Sequence, residues 1–436
     1  MRLALELGAL GAWALVVRSG QSGALPRTLV WSGGIAVLSV AALRSPVGSQ
    51  DVWSYVMEGR MLAIHHASPY IHRPADYGGD RFVELIPAGW RSSRSPYGPL
   101  FVAVSAVGAL MAGNSVLSNR LVHQGMAALA LLGASALHEH RGRATTPAYL
   151  LLNPVCLAIV NGGHNDLLVG VLLTVAIDVA VHAATDRHRG VSCGALLSAA
   201  VLIKLTALVP VVVVLVWLVR TSRRAALAAS FTIVAFTTLA YAAAGGRPAF
   251  MALAAGRSRV SRASFAGITS SLFSSSHAGL ARGAPLAAAL IGVVVGVVLV
   301  GKAARRTRGA TPTAAATRAV TTFLSTAPFV LPWYAGWALP MAGEAPASRS
   351  SRGLNVVATA LFLAYTEAPG SSAGPLSRVL ACLPVLGMCL FALWTSYSNF
   401  RRASGDRAQD RSQLADELRG RGADDELTRR LDEQGI

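Results

Sequence analysis

The residues of this chain that could do chemistry are concentrated in one polar stretch, residues 43–99, which separates two apolar runs. If residues 51–65 form a helix, Asp51, Tyr55 and Glu58 share one face, because side chains three and four positions apart are neighbours on a helix. A carboxylate near a membrane surface can act as a general base, since partial desolvation raises its pKa towards the working pH. The pattern therefore predicts proton-transfer chemistry at Asp51.

Simpler interpretations stay open for these residues. Asp51 could cap the helix, which is an ordinary use of Asp. Glu58 fits a solvated or salt-bridged helix face better than a site. The adjacent histidines of the same stretch point in different directions on a helix, so a metal site is disfavoured. Binding of a phosphate or a sugar hydroxyl is the favoured use of this basic cluster, which comprises Arg60, His65, His66, His72 and Arg73.

Further polar residues interrupt the apolar runs later in the chain. The triplet His164-Asn165-Asp166 begins a run, where polar groups face a cavity or cap a helix. Lys204 lies between apolar neighbours, so it needs an anionic partner such as a phosphate, or else extends to the surface. Trp333 and Tyr334 stand at a run's end, where aromatic side chains form an interfacial belt or stack on sugars.

The composition indicates a membrane protein. The chain of 436 residues is 53% hydrophobic and only 14% charged, whereas a soluble domain is about 25% charged. Only helices or closed barrels satisfy their backbone in lipid, and the runs lack the alternation of barrel strands. We therefore expect an all-α polytopic transmembrane protein of roughly 11–13 helices. The candidate spans are residues 3–18, 28–44, 99–113, 121–137, 146–161, 167–183, 191–219, 225–243, 285–301, 314–331, 333–343, 354–367 and 376–397.

The arginines set the expected orientation. The net charge of +18 comes from arginines in short loops, which favours positive-inside topology and anionic lipid over a nucleic-acid partner. This orientation places residues 45–98, the His164 triplet, residues 245–284 and the Trp333 end outside a cell membrane. Arg257, Arg259 and Arg262 of the second outer loop could then hold an anion, or the loop could be plainly solvated.

Two interruptions and one amphipathic helix complete the expected topology. Three apolar runs separate the first loop from His164, but only an even number of membrane crossings can join two segments on the same side. One run between residues 99 and 161 is therefore expected not to cross the membrane, and Asn153-Pro154 marks a candidate broken helix. The long run 191–219 is expected to hinge between Lys204 and Pro210. In the first loop, an apolar stripe on the helix could lie in the membrane interface. This stripe consists of Trp53, Met57, Met61 and Ile64.

The domain organisation is simple. Residues 1–398 are expected to form one membrane domain, and residues 399–436 a charged cytoplasmic tail that is helical or disordered. The first run is taken as a helix rather than a signal peptide, because Glu6 interrupts it and no typical cleavage site follows. The four cysteines lie in apolar runs without metal-type spacing, so they are expected to be buried hydrophobic residues.

The order of the motifs resembles a known family. Asp51-Val-Trp-Ser-Tyr55, Pro96-Tyr97-Gly98-Pro99, Gly163-His164-Asn165-Asp166 and Pro332-Trp333-Tyr334 occur in the order and spacing of actinobacterial polyprenol-phosphomannose-dependent α-1,6-mannosyltransferases. These are GT-C type membrane glycosyltransferases. The resemblance runs from the first outer loop to about residue 340. Each motif is short, and their combined order is the stronger signal.

The resemblance implies a function and roles for the residues. The donor would be β-mannosyl phosphopolyprenol, and the acceptor a hydroxyl of a growing lipoglycan mannan. Transfer would invert the anomeric centre on the extracytoplasmic face, without a metal, cofactor or nucleotide sugar. Asp51 would be the base, and Lys204 or an outer arginine would receive the departing phosphate. The remaining implied substrate-binding residues are Tyr55, Glu58, Arg60, Tyr70, Tyr97, His164, Asn165, Asp166, Trp333 and Tyr334.

Two alternative functions stay open, one of them a different glycosyltransferase and the other a transporter. The same fold could use another lipid-linked sugar or make another linkage, which pocket side chains would decide. A lipid or sugar transporter would instead carry charges near the membrane midplane and a repeated half. Neither feature stands out in the sequence.

Overall fold

The computed structural model describes residues 2–21, 25–255, 260–272, 278–305 and 311–366, and every regular element in these ranges is helical. Among the described residues, three short 3-10 turns join the helices: Pro74–Tyr77, Leu205–Ala207 and Pro332–Trp337. The predicted span 376–397 and the tail 399–436 lie outside the described residues. The helices are α1 (Arg2–Gln21), α2 (Arg27–Leu43), α3 (Asp51–Ala63), α4 (Ala88–Arg91), α5 (Pro99–Ala112), α6 (Val116–His140), α7 (Thr146–Leu151), α8 (Pro154–Asn161), α9 (Asp166–His182), α10 (Asp186–Ile203), α11 (Leu208–Thr221), α12 (Arg223–Ala243), α13 (Arg247–Ala255), α14 (Phe265–Leu272), α15 (Ala278–Arg305), α16 (Pro312–Thr326), α17 (Leu339–Ala342) and α18 (Arg349–Thr366).

Apolar helices dominate the fold. Within the described ranges, α6 and α12 are long and apolar enough to cross a membrane by length and composition. Four shorter apolar segments accompany them: α2, α5, Leu205–Thr221 and Leu286–Lys302. The expectation of an all-helical protein is confirmed for the described residues, whereas the multi-pass topology stays a prediction.

Helix α3 is held against α5 by a close backbone approach. A Cβ atom on Gly59 would lie 2.3 Å from the carbonyl oxygen of Ser105, so only glycine lets the two helices come this near. Elsewhere α10 packs between α9 and α12, and α9 packs against the turn Pro332–Trp337. These contacts bring the start of α3, the start of α9 and the end of α10 towards one another.

The end of α2 is tied down by side chains from α6 and α8. The last carbonyl groups of a helix have no partner within it. Here Arg120 donates to the Leu43 carbonyl at 2.9 Å, and Gln124 donates to the Arg44 carbonyl at 2.9 Å. Asn161 donates to the Ala41 carbonyl and accepts from the amide of residue 47. The chain therefore enters α3 from a fixed position.

Three of the four residues of the apolar stripe pack inside the protein, so their predicted contact with the membrane interface is wrong, whereas Ile64 is 38% exposed. Trp53 is 7% exposed, and Met57 and Met61 are fully buried. They form a cluster with Phe82 and other apolar residues of the same loop. The loop supplies its own apolar cover, and burying these side chains against one another removes more of their surface from water than an interfacial position would.

Two predicted interruptions are present. The run 146–161 breaks at Asn153-Pro154, where Asn153 caps α8 by accepting a hydrogen bond from the amide of residue 155 at 2.9 Å. The run 191–219 breaks at Lys204, whose extended backbone ends α10 and leads into the turn before α11. Each break places polar groups between two apolar helices.

Two predicted spans and one predicted loop differ from the structure. Residues 333–343 form a 3-10 turn and the short α17 rather than a spanning helix. The predicted span 314–331 ends early, because α16 stops at Thr326 and the following Ala327 takes the extended conformation that a succeeding proline favours. Helix α15 begins at Ala278, inside the predicted outer loop 245–284, which also contains α13 and α14.

Candidate active site

A cavity of about 660 Å³ opens beside the start of α3. Its volume falls in the range of sites that enclose small ligands. Five separate stretches of sequence form its wall: the first two turns of α3, residues 73–97, the break after α10, Ala252 of α13, and residues 323–334. The lining residues that carry polar or aromatic groups are Asp51, Ser54, Glu58, Arg73, Trp90, Ser92, Ser93, Arg94, Tyr97, Lys204, Thr206, Phe323, Phe329, Trp333 and Tyr334.

Asp51 presents its carboxylate to this cavity. The residue lies at the first position of α3, after Gln50, which makes no side-chain cap. The Asp51 amide donates to the hydroxyl of Ser49 at 3.3 Å. The side chain of Asp51 is 18% exposed. Burial raises its pKa to about 6, although the nearby Lys204 charge acts in the opposite direction. The Asp51 carboxylate therefore faces the cavity, and it does not cap the helix.

His164 stands behind Asp51 in a fixed orientation. Its Nδ1 atom lies 3.2 Å from the hydroxyl of Tyr55 and 3.9 Å from Oδ2 of Asp51. The ring stacks on Trp333, with centroids 4.1 Å apart and planes 14° apart. Burial, assisted by the Lys204 charge, lowers the pKa of His164 well below its usual range. The imidazole is thus neutral and lies behind Asp51 without adding charge.

Lys204 enters the cavity wall as one half of an ion pair. Its Nζ atom donates to Oδ1 of Asp166 at 2.7 Å, and the indole of Trp337 donates to the same oxygen at 2.5 Å. The ammonium also lies 4.1 Å from the ring centroid of Tyr334. Such cation–π contacts stabilise a desolvated cation. Snorkelling of Lys204 is therefore excluded, and its partner in this structure is a carboxylate.

Glu58 also lines the cavity, and the expectation of a solvated face residue is wrong. The residue is 5% exposed and accepts a hydrogen bond from the Ser95 hydroxyl at 2.7 Å. Within the described ranges it forms no ion pair. Burial raises the pKa of Glu58 to about 8, with the Asp51 charge acting in the same direction. The two carboxyl groups of α3 therefore differ in protonation at neutral pH.

Tyr97 is positioned by contacts on both sides of it. Tyr70 donates to the Tyr97 carbonyl at 3.0 Å, and the Gly98 amide donates to the Ile203 carbonyl at 3.0 Å. A Cβ atom on Gly98 would lie 2.1 Å from the carbonyl oxygen of Leu202. The loop before α5 is thus packed directly onto the end of α10, beside Lys204.

Two arginines of the first loop join Lys204 in the cavity wall, Arg73 and Arg94. Arg73 belongs to the predicted basic cluster, whereas Arg94 was not predicted. Ser54 was missed too, although it lies three positions after Asp51 and helical spacing could have found it. Among the outer-loop arginines, Arg262 contacts the Ala364 carbonyl and the Tyr365 ring, and residues 257 and 259 lie outside the described ranges.

Several predicted substrate-binding residues support the cavity without lining it. Arg60 forms a buried ion pair with Asp80 at 2.8 Å and donates to the Gly113 carbonyl, and it does not line the cavity. The Asp80 carboxylate also contacts His65 at 2.8 Å. Asn165 is buried, and its amide has no hydrogen-bond partner among the described residues. The predicted residues that lie behind the lining are Tyr55, Tyr70, His164, Asn165 and Asp166.

Metal-binding side chains are not grouped in the described part of the chain. No cluster of three or more His, Cys, Asp or Glu residues there is arranged to hold an ion. The described cysteines, Cys156 and Cys193, are free and buried, as their apolar surroundings predict. That the reaction needs no metal stays a prediction, which requires a separate test.

Comparison with known proteins shows that part of the chain is similar to mannopyranosyltransferases. The family model described as "Alpha-(1->6)-mannopyranosyltransferase, N-terminal domain" matches residues 9–220, somewhat less than half of the chain. This segment contains the motifs from Asp51 to Lys204, and the resemblance inferred from them is confirmed over it. The motif at Trp333 lies beyond the match.

Individual relatives carry the same name. The chain is 29% identical over 187 residues to alpha-(1->6)-mannopyranosyltransferase A of Mycobacterium tuberculosis, covering 41% of this chain and 34% of that protein. It is 30% identical over 170 residues to the A enzyme of Corynebacterium glutamicum, covering 37% and 33% respectively. The B enzyme of the latter organism is 27% identical over 154 residues, covering 33% and 25%. The chain thus matches about a third or less of each curated relative. No solved structure matches it.

Proposed function

We propose that this protein is a membrane mannosyltransferase that forms an α-1,6 linkage. The donor is β-mannosyl phosphopolyprenol, and the acceptor is a hydroxyl of a growing lipoglycan mannan. The observation that carries the proposal is the meeting of Asp51 with three cationic side chains in one cavity. The similarity of residues 9–220 to mannopyranosyltransferases supports the choice of sugar and linkage.

The transfer step follows from the two kinds of charge. The acceptor oxygen attacks the anomeric carbon while the bond from that carbon to the phosphate oxygen breaks, and the bonding electrons leave with the phosphate. Asp51 takes the proton of the acceptor hydroxyl. Attack on the face opposite the phosphate inverts the β-linkage of the donor to an α-linkage. The transition state resembles an oxocarbenium ion, as in glycoside hydrolysis.

The leaving phosphate needs positive charge to stabilise it. Lys204, Arg73 and Arg94 line the cavity and can supply that charge without a metal ion. Lys204 is already paired with Asp166, so the two arginines carry the larger share of the uncompensated charge. A pocket that excludes water favours a carbohydrate acceptor over hydrolysis, and Trp90 and Trp333 in the wall offer flat surfaces for sugar rings.

We place the protein in the cell membrane as a multi-pass chain with the cavity on the extracytoplasmic side. The basic loops and the apolar helices support this orientation. The cavity gathers Asp51, Lys204 and Trp333, all of which the charge distribution assigns to the same side. A donor anchored in the bilayer would then reach the cavity without leaving the membrane.

The test is mannosyl transfer by the purified protein in lipid vesicles. Radiolabelled mannosyl phosphopolyprenol is the donor and a short α-1,6-mannoside the acceptor, with EDTA in a parallel reaction. The parent is compared with Asp51→Asn and with Glu84→Gln, a matched control because Glu84 is an exposed carboxylate of the same loop. We expect transfer that survives EDTA, persists in the control and falls at least ~10³-fold in Asp51→Asn.

Each other result contradicts a specific part of the proposal. Unchanged transfer in Asp51→Asn means that Asp51 is not the base. Transfer that stops in EDTA contradicts the metal-free mechanism. Transfer of a different lipid-linked sugar contradicts mannose as the donor sugar. A product that methylation analysis shows to have another linkage contradicts the α-1,6 bond. No transfer with any donor points to transport of a lipid or sugar.

A further inference from the structure

Helix α3 carries two carboxyl groups into the cavity, and only Asp51 has a role in the reaction described above. Glu58 follows it by seven residues on the same face, which corresponds to about 10 Å along the helix axis. It is more deeply buried than Asp51, and its one hydrogen bond comes from the Ser95 hydroxyl at 2.7 Å. A buried carboxyl group without a cationic partner avoids the cost of desolvating its charge by keeping its proton.

We propose, resting on the transferase function, that Glu58 works as an uncharged carboxyl group that donates a hydrogen bond to a phosphate oxygen of the lipid-linked donor. The position fits because inversion puts the acceptor hydroxyl and the leaving phosphate on opposite sides of one sugar. Two carboxyl groups two helical turns apart can face those two sides. Arg94 lines the same wall and precedes Ser95, whose hydroxyl bonds Glu58, so positive charge for an anion lies on this side of the cavity.

The nature of the target oxygen makes the protonation state matter. A phosphate oxygen accepts hydrogen bonds and donates none, so a protonated Glu58 binds it and an ionised Glu58 repels it. A sugar hydroxyl could pair with either form, because it both donates and accepts. Binding of the donor, but not of the acceptor, should therefore depend on the proton of Glu58.

The groups around Glu58 define the pH range. Ser95 donates to it, the Asp51 carboxylate opposes its ionisation, and the phenols of Tyr70 and Tyr97 remain neutral. The cations that line the same cavity are Arg73, Arg94 and Lys204. The pKa of Glu58 is about 8, raised chiefly by burial. The proton is therefore present at neutral pH and is lost as the pH rises through about 8.

The decisive experiment measures the KM for mannosyl phosphopolyprenol and, separately, for the mannoside acceptor between about pH 6.5 and 9.5. In the parent we expect the donor KM to rise about tenfold per pH unit above 8, with the acceptor KM unchanged. Glu58→Gln keeps a donor group of the same shape, so its donor KM should stay level across this range. Glu58→Ala should raise the donor KM roughly 10- to 100-fold at every pH.

Two outcomes overturn the proposal even if transfer is measured. If the donor KM rises identically with pH in the parent and in Glu58→Gln, the weaker donor binding at high pH is due to another group. An effect confined to the acceptor KM assigns Glu58 to a sugar hydroxyl instead. The variant Glu58→Gln decides between these results, because it preserves the shape and the hydrogen-bond donor of the protonated side chain.

A second measurement is independent of transfer. Infrared spectra of the protein in vesicles at pH 7 should contain a protonated-carboxyl C=O band that Glu58→Gln removes and Asp51→Asn leaves in place. Polyprenyl phosphate, titrated against the intrinsic tryptophan fluorescence to which Trp90 and Trp333 of the cavity wall contribute, should bind more weakly at pH 9 than at pH 7 only in the parent. Loss of transfer with these two results intact would contradict the transferase function alone. Absence of the band would contradict the role of Glu58.

Discussion

Lys204 and Asp166 form a buried ion pair in which one carboxylate oxygen, Oδ1, receives both the ammonium at 2.7 Å and the indole of Trp337. The other oxygen of Asp166 has no partner among the described residues. The pair joins the break after α10 to the start of α9 and to the turn Pro332–Trp337. Lys204 thus holds the fold together at the same place where it adds charge to the cavity.

These two functions of Lys204 can be separated by a double substitution. Lys204→Met leaves the Asp166 carboxylate buried without its cation, and breaking such a pair costs about 3–5 kcal/mol. In Lys204→Met with Asp166→Asn, no charge remains buried, so most of the stability should return. Mannosyl transfer should stay below that of the parent, because the cavity still lacks the ammonium. Thermal unfolding in detergent and transfer in vesicles measure the two effects.

The control for this experiment is the ion pair of Arg141 and Asp178. Its arginine side chain is 40% exposed, so Asp178→Asn should cost less than ~1 kcal/mol. A double variant of Lys204 and Asp166 that regains transfer would show that the lysine is structural only. Equal instability of the single and double variants would contradict the burial penalty.

The acidic limb of the transfer rate should report Asp51. A base must be ionised to accept a proton, and its pKa of about 6 means that activity is present above pH 6 and lost below it. We expect kcat/KM to fall about tenfold per pH unit below 6. The profile of Glu84→Gln should coincide with that of the parent. A midpoint near 4, the value of a solvated aspartate, would mean that the carboxylate of the working enzyme is hydrated.

Trp333 should matter through the orientation of His164. Trp333→Ala removes the stacked ring and lets the imidazole leave its contact with Tyr55, so we expect kcat/KM to fall roughly tenfold. Trp333→Phe keeps a flat ring and should retain more activity than the alanine variant. Trp31→Phe serves as the control, because Trp31 bonds to Glu139 and does not line the cavity. Equal activity of the three variants would show that stacking does not position His164.

Gly98 should not tolerate a side chain. The Cβ atom of Gly98→Ala would meet the backbone carbonyl of Leu202, so Tyr97 and the end of α10 would have to separate. We expect a loss of about 1–3 kcal/mol in unfolding free energy and a larger donor KM. Gly78→Ala is the matched control, because nothing lies within 4 Å of its Cβ position. Similar unfolding temperatures for both variants would show that the loop yields easily.

Much of the arrangement could be predicted because it depends on local signals. Apolar run lengths located most helices within a few residues, and proline and an isolated lysine marked the breaks at Pro154 and Lys204. The charge distribution grouped Asp51, His164, Lys204 and Trp333 on one side, and the structure brings their segments together at the cavity. These features follow from the sequence because each depends on spacing along the chain.

The features that could not be predicted depend on which distant segment of the chain packs over a given residue. The stripe of Met57 and Met61 looks the same whether lipid or Phe82 packs against it, and only the folded loop decides. Glu58 was assigned to solvent for the same reason, since the loop that brings Ser95 over it lies 37 residues away. Arg60 looked like a ligand for phosphate, yet the nearer carboxylate of Asp80 binds it.

The ion pair of Lys204 also constrains the order in which the chain can mature during synthesis. Asp166 precedes Lys204 by 38 residues and Trp337 by 171. Asp166 is therefore synthesised long before Trp337, its last hydrogen-bond donor. An unpaired charge inside apolar surroundings is unfavourable. Until the segment with Trp333 and Trp337 has been synthesised, we expect the Asp166 carboxylate at the start of α9 to remain hydrated. The cavity would then close last, so incomplete chains would be inactive and easily recognised for degradation.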